Sequence, residues 1–344
     1  MVLLAFRAIA RAGMSARAYR KRLYTGHRKR MKTVSLAPLF EPAIRMTSVL
    51  TPQTRQELIE AGSARMGASS VAICGLARDC ANSLSRLIPA IEALAACFPE
   101  HRIIVVENDS LDDTAHVLNT WGSKNPAVET IHFSYVGDQC ADPGSGGWFG
   151  HNRIARMTFA RNRYLEAVKE PAPAEFMIVV DLDIWTFDLD GVKHSFGLMD
   201  DWDAIAGDGR RYSLRHPWRP SVYWDSYAYE PATGFDEDVQ TPEQIRTDQV
   251  EIARQLNRGE LLPARCAFGG LCIYRTERLI GHAYGLIENA HPDVTVLCEH
   301  HTLVRSVRAD HSDFRLAINP AMRVRYASAR KLIGQATRRF ILRR

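Results

Sequence analysis

Two aspartates one residue apart, Asp181 and Asp183, close the run Phe176-Met-Ile-Val-Val180. A short apolar run rich in valine and isoleucine reads as a buried strand, and its end delivers both carboxylates to a polar edge. Positions i and i+2 of a strand share a face, so the pair presents hard oxygen ligands together. That suits a divalent cation that also takes diphosphate oxygens and water. On the triplet alone, two solvated acids at a strand end explain the pattern equally well. Two further strand ends weigh against that bland explanation: Arg78-Asp79 follows the apolar Val71–Cys74, and Glu107-Asn108-Asp109 closes Arg102-Ile-Ile-Val-Val106. Open α/β sheets bind ligands beyond the carboxyl ends of their strands, so the three polar groups are expected at one edge. Acids there can accept from ribose hydroxyls or base edges and hold the metal, and arginine meets phosphate bidentately. The metal neutralises charge on a departing diphosphate.

The elements that must position these groups follow from periodicity. Leu84, Leu87, Ile88, Ile91 and Leu94 recur at helical spacing, so 80–97 is expected to be a helix, with Pro89 as a kink. Helices are also expected from about Asp112 and over 152–169, with a strand over Val128–Val136 between them. Strand alternating with helix implies an α/β fold with a mostly parallel sheet covered on both faces. Beyond Asp183 the pattern loosens. Asp203–Gly207 reads as a strand, Thr241–Asn257 as a helix, Ala267–Tyr274 and Leu316–Tyr326 as strands, and Cys298-Glu299-His300-His301 as the start of a short helix. The segment from Trp218 to Tyr229 is less legible. Gly269-Gly270 removes side chains where a ligand needs close approach.

The 344 residues are 46% hydrophobic and 24% charged, enough for a real core. The net charge of +5 is unevenly spread. Basic residues crowd the N-terminal segment, where no acid precedes Glu41, and again the end from Arg330 to Arg344. Such ends are expected to favour an anionic membrane surface. Nucleic acid is not the expected partner, because acids line the proposed cleft. The seven cysteines include no CxxC pair, which fits a reducing cytosol. No stretch reaches the ~18 apolar residues of a spanning helix, so the chain is expected to be soluble in the cytoplasm or peripheral on the inner membrane face. The organisation expected is a basic amphipathic segment (1–46), a connecting helix (47–68) starting near Thr51-Pro52, a catalytic domain (69–326, with halves 69–190 and 191–326) and a basic tail (327–344).

Val105-Val-Glu-Asn-Asp-Ser-Leu-Asp-Asp-Thr114 resembles the second-strand signature of GT-A glycosyltransferases, and Ala160-Arg161-Asn162 resembles their Ala-Arg-Asn helix upstream of the Asp-x-Asp. Trp202-Asp203, Tyr223–Ala228, Phe268-Gly-Gly270 and Cys298-Glu-His300 are similar to the capsule-associated, cryptococcal-type mannosyltransferase group and its bacterial relatives. The resemblance covers roughly residues 70 to 325. It implies that Arg78 and Glu107 border a nucleotide pocket, that Asp109 contacts base or ribose, and that Arg161 braces the nucleotide side or the Asp-x-Asp turn. Asp181 lies near ribose and metal, and Asp183 is the direct metal ligand. It places Glu299 as the proton acceptor, Gly269 and Gly270 in the donor site, and Asp225 with Asp203 along the acceptor or donor-sugar pocket. His300 stands where an aspartate is often found, and as a third metal ligand it would point to retaining chemistry. Trp218, Tyr223, Trp224, Tyr227 and Tyr229 could stack on sugars or pack a loop. Gly144-Ser-Gly-Gly-Trp148 is expected to be a lid.

The function so implied is a Mn2+- or Mg2+-dependent transfer of a hexose from a nucleotide-diphosphate sugar, GDP-mannose favoured, to a glycan or lipid-linked acceptor. A sugar-nucleotide nucleotidyltransferase shares the sheet and the acids but needs a glycine-rich phosphate loop, which Gly75-Leu-Ala-Arg78 is too poor in glycine to supply. A carbohydrate-binding scaffold would need none of Arg161, Asp181, Asp183 and Glu299.

Overall fold

Helix α1 (Arg55–Met66) begins at a capping box: the Thr54 hydroxyl accepts from the Glu57 N–H, and the Glu57 carboxylate accepts from the Thr54 N–H. The computed structural model describes residues 54–135, 147–170, 172–213 and 216–326, all within a compact unit spanning 49–344. The expected helix start at Thr51-Pro52, the basic segments 1–46 and 327–344, and the glycine-rich stretch up to residue 146 lie outside the described residues.

Along the chain follow β1 (Ser70–Ala77), α2 (Ala81–Ala95), β2 (Glu100–Asn108), α3 (Thr114–Lys124), β3 (Val128–Phe133), α4 (His151–Val168) and β4 (Phe176–Val180). Then come β5 (Thr186–Phe187), α5 (Leu189–Gly197), β6 (Ala204–Ser213), β7 (His216–Tyr223), β8 (Glu230–Pro231) and α6 (Pro242–Leu256). The last group is β9 (Leu262–Cys266), β10 (Leu271–Arg275), the hairpin β11 (Glu288–His291) and β12 (Val294–Val296), α7 (Glu299–Asp310) and β13 (Leu316–Arg325). Far from merely connecting, α1 lies against α5. Gly62 faces the Lys193 carbonyl and Gly197 the Leu58 carbonyl, so a side chain on either glycine would collide with backbone.

The main sheet runs β3-β2-β1-β4-β10-β6-β13, then β9 and β8. In its central seven strands only β10 is reversed, so the α/β class with a mostly parallel sheet holds. Alternation does what period two requires. Ala72, Cys74, Ile104, Val106, Met177 and Val179 pack with α4, α6 and α7 on one face. Val71, Ile73, Ile103, Val105, Ile178 and Val180 pack with α2, α3 and α5 on the other. The register pairs Ala77 with Glu107 and Cys74 with Val179, which sets the ends of β1, β2 and β4 level at one edge.

Of the strand expected over 267–274 only the second half forms, as part of β10, and residues 267–270 are the turn that joins β9 to it. Gly269 (φ +67) and Gly270 (φ +80) occupy the left-handed region, where an extended ladder cannot continue. The illegible 218–229 segment becomes β7 and a 3-10 turn at Ser226–Ala228. Among the described residues no helix is long and apolar enough to cross a membrane.

Candidate active site

Beyond β4 the chain turns sharply, and three contacts hold the turn. The Asp181 N–H donates to the Gly270 carbonyl (2.9 Å). Leu182 is buried against Gly75, where a Cβ would fall 2.8 Å from the Leu182 Cγ. From α2, Arg86 donates to the carbonyls of Ile184 (3.0 Å) and Trp185 (3.1 Å), and its guanidinium lies 4.1 Å over the Trp185 ring. Asp181 is thereby left partly buried and Asp183 exposed. Arg86→Ala should loosen this turn at a cost of about 1–3 kcal/mol, the value of charge-assisted hydrogen bonds. Thermal melts check the cost, and faster amide exchange at residues 181–185 would locate it.

Arg161, buried in the middle of α4, is the hub. Its Nε donates to Glu299 Oε1 (2.8 Å), its Nη1 to the Tyr164 hydroxyl (3.1 Å), and its Nη2 lies 3.8 Å from Asp181 Oδ1. Each residue of Ala160-Arg161-Asn162 has work in the fold. Ala160 packs in the core, and Asn162 makes a two-way bond with the Tyr284 backbone (3.0 and 2.9 Å). Glu299 begins α7 and is 2% exposed, with Cys298 Sγ donating to its second oxygen (3.3 Å). Burial pushes its carboxyl up, but attraction and hydrogen bonding from Arg161 prevail and hold it at about 2.

Three acids therefore share one buried arginine. Burial and the Asp183 carboxylate lift Asp181 to about 7, against the pull of Arg161 and Tyr326. Burial, then the Asp181 charge, raises the Asp225 carboxyl well above its ordinary value, although the Gly269 N–H donates to its Oδ2 (3.0 Å). Crowded carboxylates of this kind are relieved by a cation. Hard oxygens on Asp181 and Asp183 fit Mn2+ or Mg2+ as two protein ligands, with phosphate oxygens and water completing the shell. His300 does not join them, and among the described residues no three His, Cys, Asp or Glu side chains come together as a metal-holding group. His300 is 1% exposed, stacked 4.2 Å from Phe268 on the Glu299 side of Arg161, and burial drives its imidazole well below its ordinary value, so it stays neutral.

The β1 and β2 ends are stapled together by Ser110, Asp112 and Thr114. Asp79 donates its N–H to the Ser110 hydroxyl (3.2 Å), Ala81 to Asp112 (3.1 Å) and Cys80 to the Thr114 hydroxyl (2.8 Å). Glu107 is buried, and both its oxygens are engaged, one by the Ser110 N–H (3.0 Å) and one by His132 (2.9 Å). Asp109, at φ +46, accepts from the Tyr135 N–H (3.3 Å). Its slight burial is outweighed by hydrogen bonds from Ser134, Tyr135 and Asn108, which lower its carboxyl. Arg78 lies half-exposed beside Asp79 (3.7 Å) and also attracts Asp109.

Several expected site residues have partners within the fold. Glu299, expected as the proton acceptor, is paired with Arg161, which holds its carboxyl at about 2. The glycine pair serves the backbone: Gly269 lies against the Gly207 carbonyl, and Gly270 leaves room for the Tyr326 ring. Asp203 precedes β6 and so lies at the opposite edge, buried between Arg278 (3.2 Å) and Arg315 (3.5 Å). Tyr223, Tyr227 and Tyr229 are core residues, whereas Trp224 is partly exposed beneath the Arg211 guanidinium (3.8 Å). Sequence reasoning missed Arg86, Tyr164, Tyr284 and Tyr326. Only the aromatic character of the last three carried any signal, and buried tyrosines are common in cores.

No family model matches this chain, and no curated protein matches it. Among solved structures it is similar to S. aureus TarS (12% identity, TM-score 0.41, covering 75% of this chain and 36% of that one). The chain thus spans little more than a third of that TarS structure. It is also similar to the mannosyltransferase PcManGT from Pyrobaculum calidifontis in complex with GDP-Man and Mn2+ (11%, 0.39, covering 76% and 68%). A third is glucosyl-3-phosphoglycerate synthase from Mycobacterium tuberculosis in complex with Mn2+, uridine-diphosphate and phosphoglyceric acid (12%, 0.42, covering 83% and 80%).

Proposed function

We propose that this chain is a glycosyltransferase that uses a nucleotide-diphosphate sugar and a divalent cation. The observation that carries the reading is the convergence of Asp181, Asp183, Asp225 and the Arg161–Glu299 pair at the carboxyl edge of the sheet. Arg78 and Asp109 follow β1 and β2 at the same edge, and in this reading they meet the nucleotide, with Glu107 ordering the loop that carries Asp109. Asp181 and Asp183 would hold Mn2+ or Mg2+, which when bound offsets the charge gathering on the departing diphosphate. Arg161 fixes Asp181 and Glu299. In transfer, an acceptor hydroxyl oxygen bonds to the anomeric carbon as the sugar–phosphate C–O bond breaks. The diphosphate keeps the electron pair. The hydroxyl proton passes to a carboxylate at this edge, Asp225 or Glu299, the first accepting the Gly269 N–H and the second paired with Arg161.

The resemblance to the mannosyltransferase group favours mannose from GDP-mannose, with a glycan or lipid-linked acceptor at the membrane. The test is thermal-shift titration of the full chain against GDP, UDP and ADP, with and without Mn2+. One nucleotide should stabilise the fold only with metal, by about 2.7 kcal/mol at a hundredfold excess over Kd. No response to any nucleotide would overturn the reading.

A further inference from the structure

Resting on the transferase reading, we propose that Tyr326 is a positioning residue: its phenol fixes the Asp181 carboxylate in the orientation that receives the cation. The hydroxyl of Tyr326 donates to Asp181 Oδ2 (3.2 Å) across 145 residues of sequence. Arg161 faces the other oxygen, so the carboxylate is held from both sides. Each carboxylate oxygen has two lone pairs, and one on each remains for a ligand.

The fold makes a slot for this ring. A Cβ on Gly270 would fall 2.6 Å from the Tyr326 hydroxyl, and one on Gly209 would fall 3.0 Å from Cε2. The same Gly270 accepts the Asp181 N–H through its carbonyl, so one glycine sets both the backbone of the acid and the space for its partner. The Tyr326 N–H donates to the Arg210 carbonyl (3.1 Å), anchoring the end of β13 to β6. Trp224 lies 6.4 Å from the ring and is tied to the Gly209 carbonyl by its own N–H (2.8 Å). Three elements thus converge on placing one hydroxyl against one carboxylate. Partners behind metal ligands of this kind are worth roughly 10- to 100-fold in metal affinity.

The experiment is calorimetric titration of Mn2+, alone and with GDP, UDP or ADP, into wild type and Tyr326→Phe. Phenylalanine keeps the ring in its slot and removes only the hydroxyl, so Tm should stay close to wild type. The expected result is Mn2+ binding weakened by roughly 10- to 100-fold. A structural role alone would move Tm and leave that affinity in place. Unchanged Mn2+ affinity in Tyr326→Phe overturns the assignment. If the variant weakens Mn2+ binding while none of GDP, UDP and ADP binds wild type, the Tyr326 assignment stands and the transferase reading falls. Wild type that binds no Mn2+ sinks both.

Discussion

Arg161→Met is expected to cost the fold about 3–5 kcal/mol, the penalty for stranding a buried charge. For a chain of this size that corresponds to a fall in Tm on the order of 10 °C. Methionine fills the space, so the loss is electrostatic in origin: Glu299, 2% exposed, and Asp181 are left without their cation. The pH dependence gives the distinctive sign. In wild type Glu299 is held at about 2, below its ordinary 4.5, so its contribution is complete above about pH 4.5 and is lost as pH falls towards 2. In the variant burial acts without its main opponent and raises that carboxyl, so protonation relieves the fold. The gap between the two proteins should narrow as pH falls from 8 to 5. Urea melts at several pH values would measure it, and a constant gap would show that Arg161 is not compensating these acids.

Asp183→Ala should remove metal-dependent nucleotide binding and turnover while leaving the fold intact. Asp183 is exposed, and surface substitutions usually change stability by no more than about 0.5 kcal/mol, so Tm should move only slightly. Loss of a direct ligand should weaken Mn2+ by roughly 100-fold or more, since even groups behind the ligands are worth 10- to 100-fold. Calorimetry with Mn2+ and the preferred nucleotide, beside a Tm measurement, tests both halves. Retained metal-dependent binding would remove Asp183 from the site.

The sheet was readable because its signals are local. An apolar run such as Phe176–Val180 must be buried, and three β/α units followed by a fourth strand before residue 181 leave little choice but parallel strands covered on both faces. Which strand ends carry polar groups is written in the same runs, so the sequence alone puts Arg78, Glu107, Asp109, Asp181 and Asp183 at one edge. Spacing could not say how many partners each carboxylate has. By resemblance Glu107 borders the nucleotide pocket and Glu299 accepts a proton, and in the fold their oxygens are engaged by Ser110, His132, Arg161 and Cys298.

The same limit explains His300 and the glycines. A histidine beside a glutamate suggests a ligand, but its stacking on Phe268, a residue far away in sequence, decides that it is buried and neutral. Gly269-Gly270 announced an unusual backbone, while the reason, a turn that admits Tyr326 to Asp181, depends on β13 returning beside β6. By itself the sequence determined the fold class and the edge where chemistry collects, because burial and strand direction follow from nearest neighbours along the chain. Only the tertiary structure decided which acids are pinned and which are poised, because a carboxylate's charge state depends on through-space partners and lost water that no local pattern records.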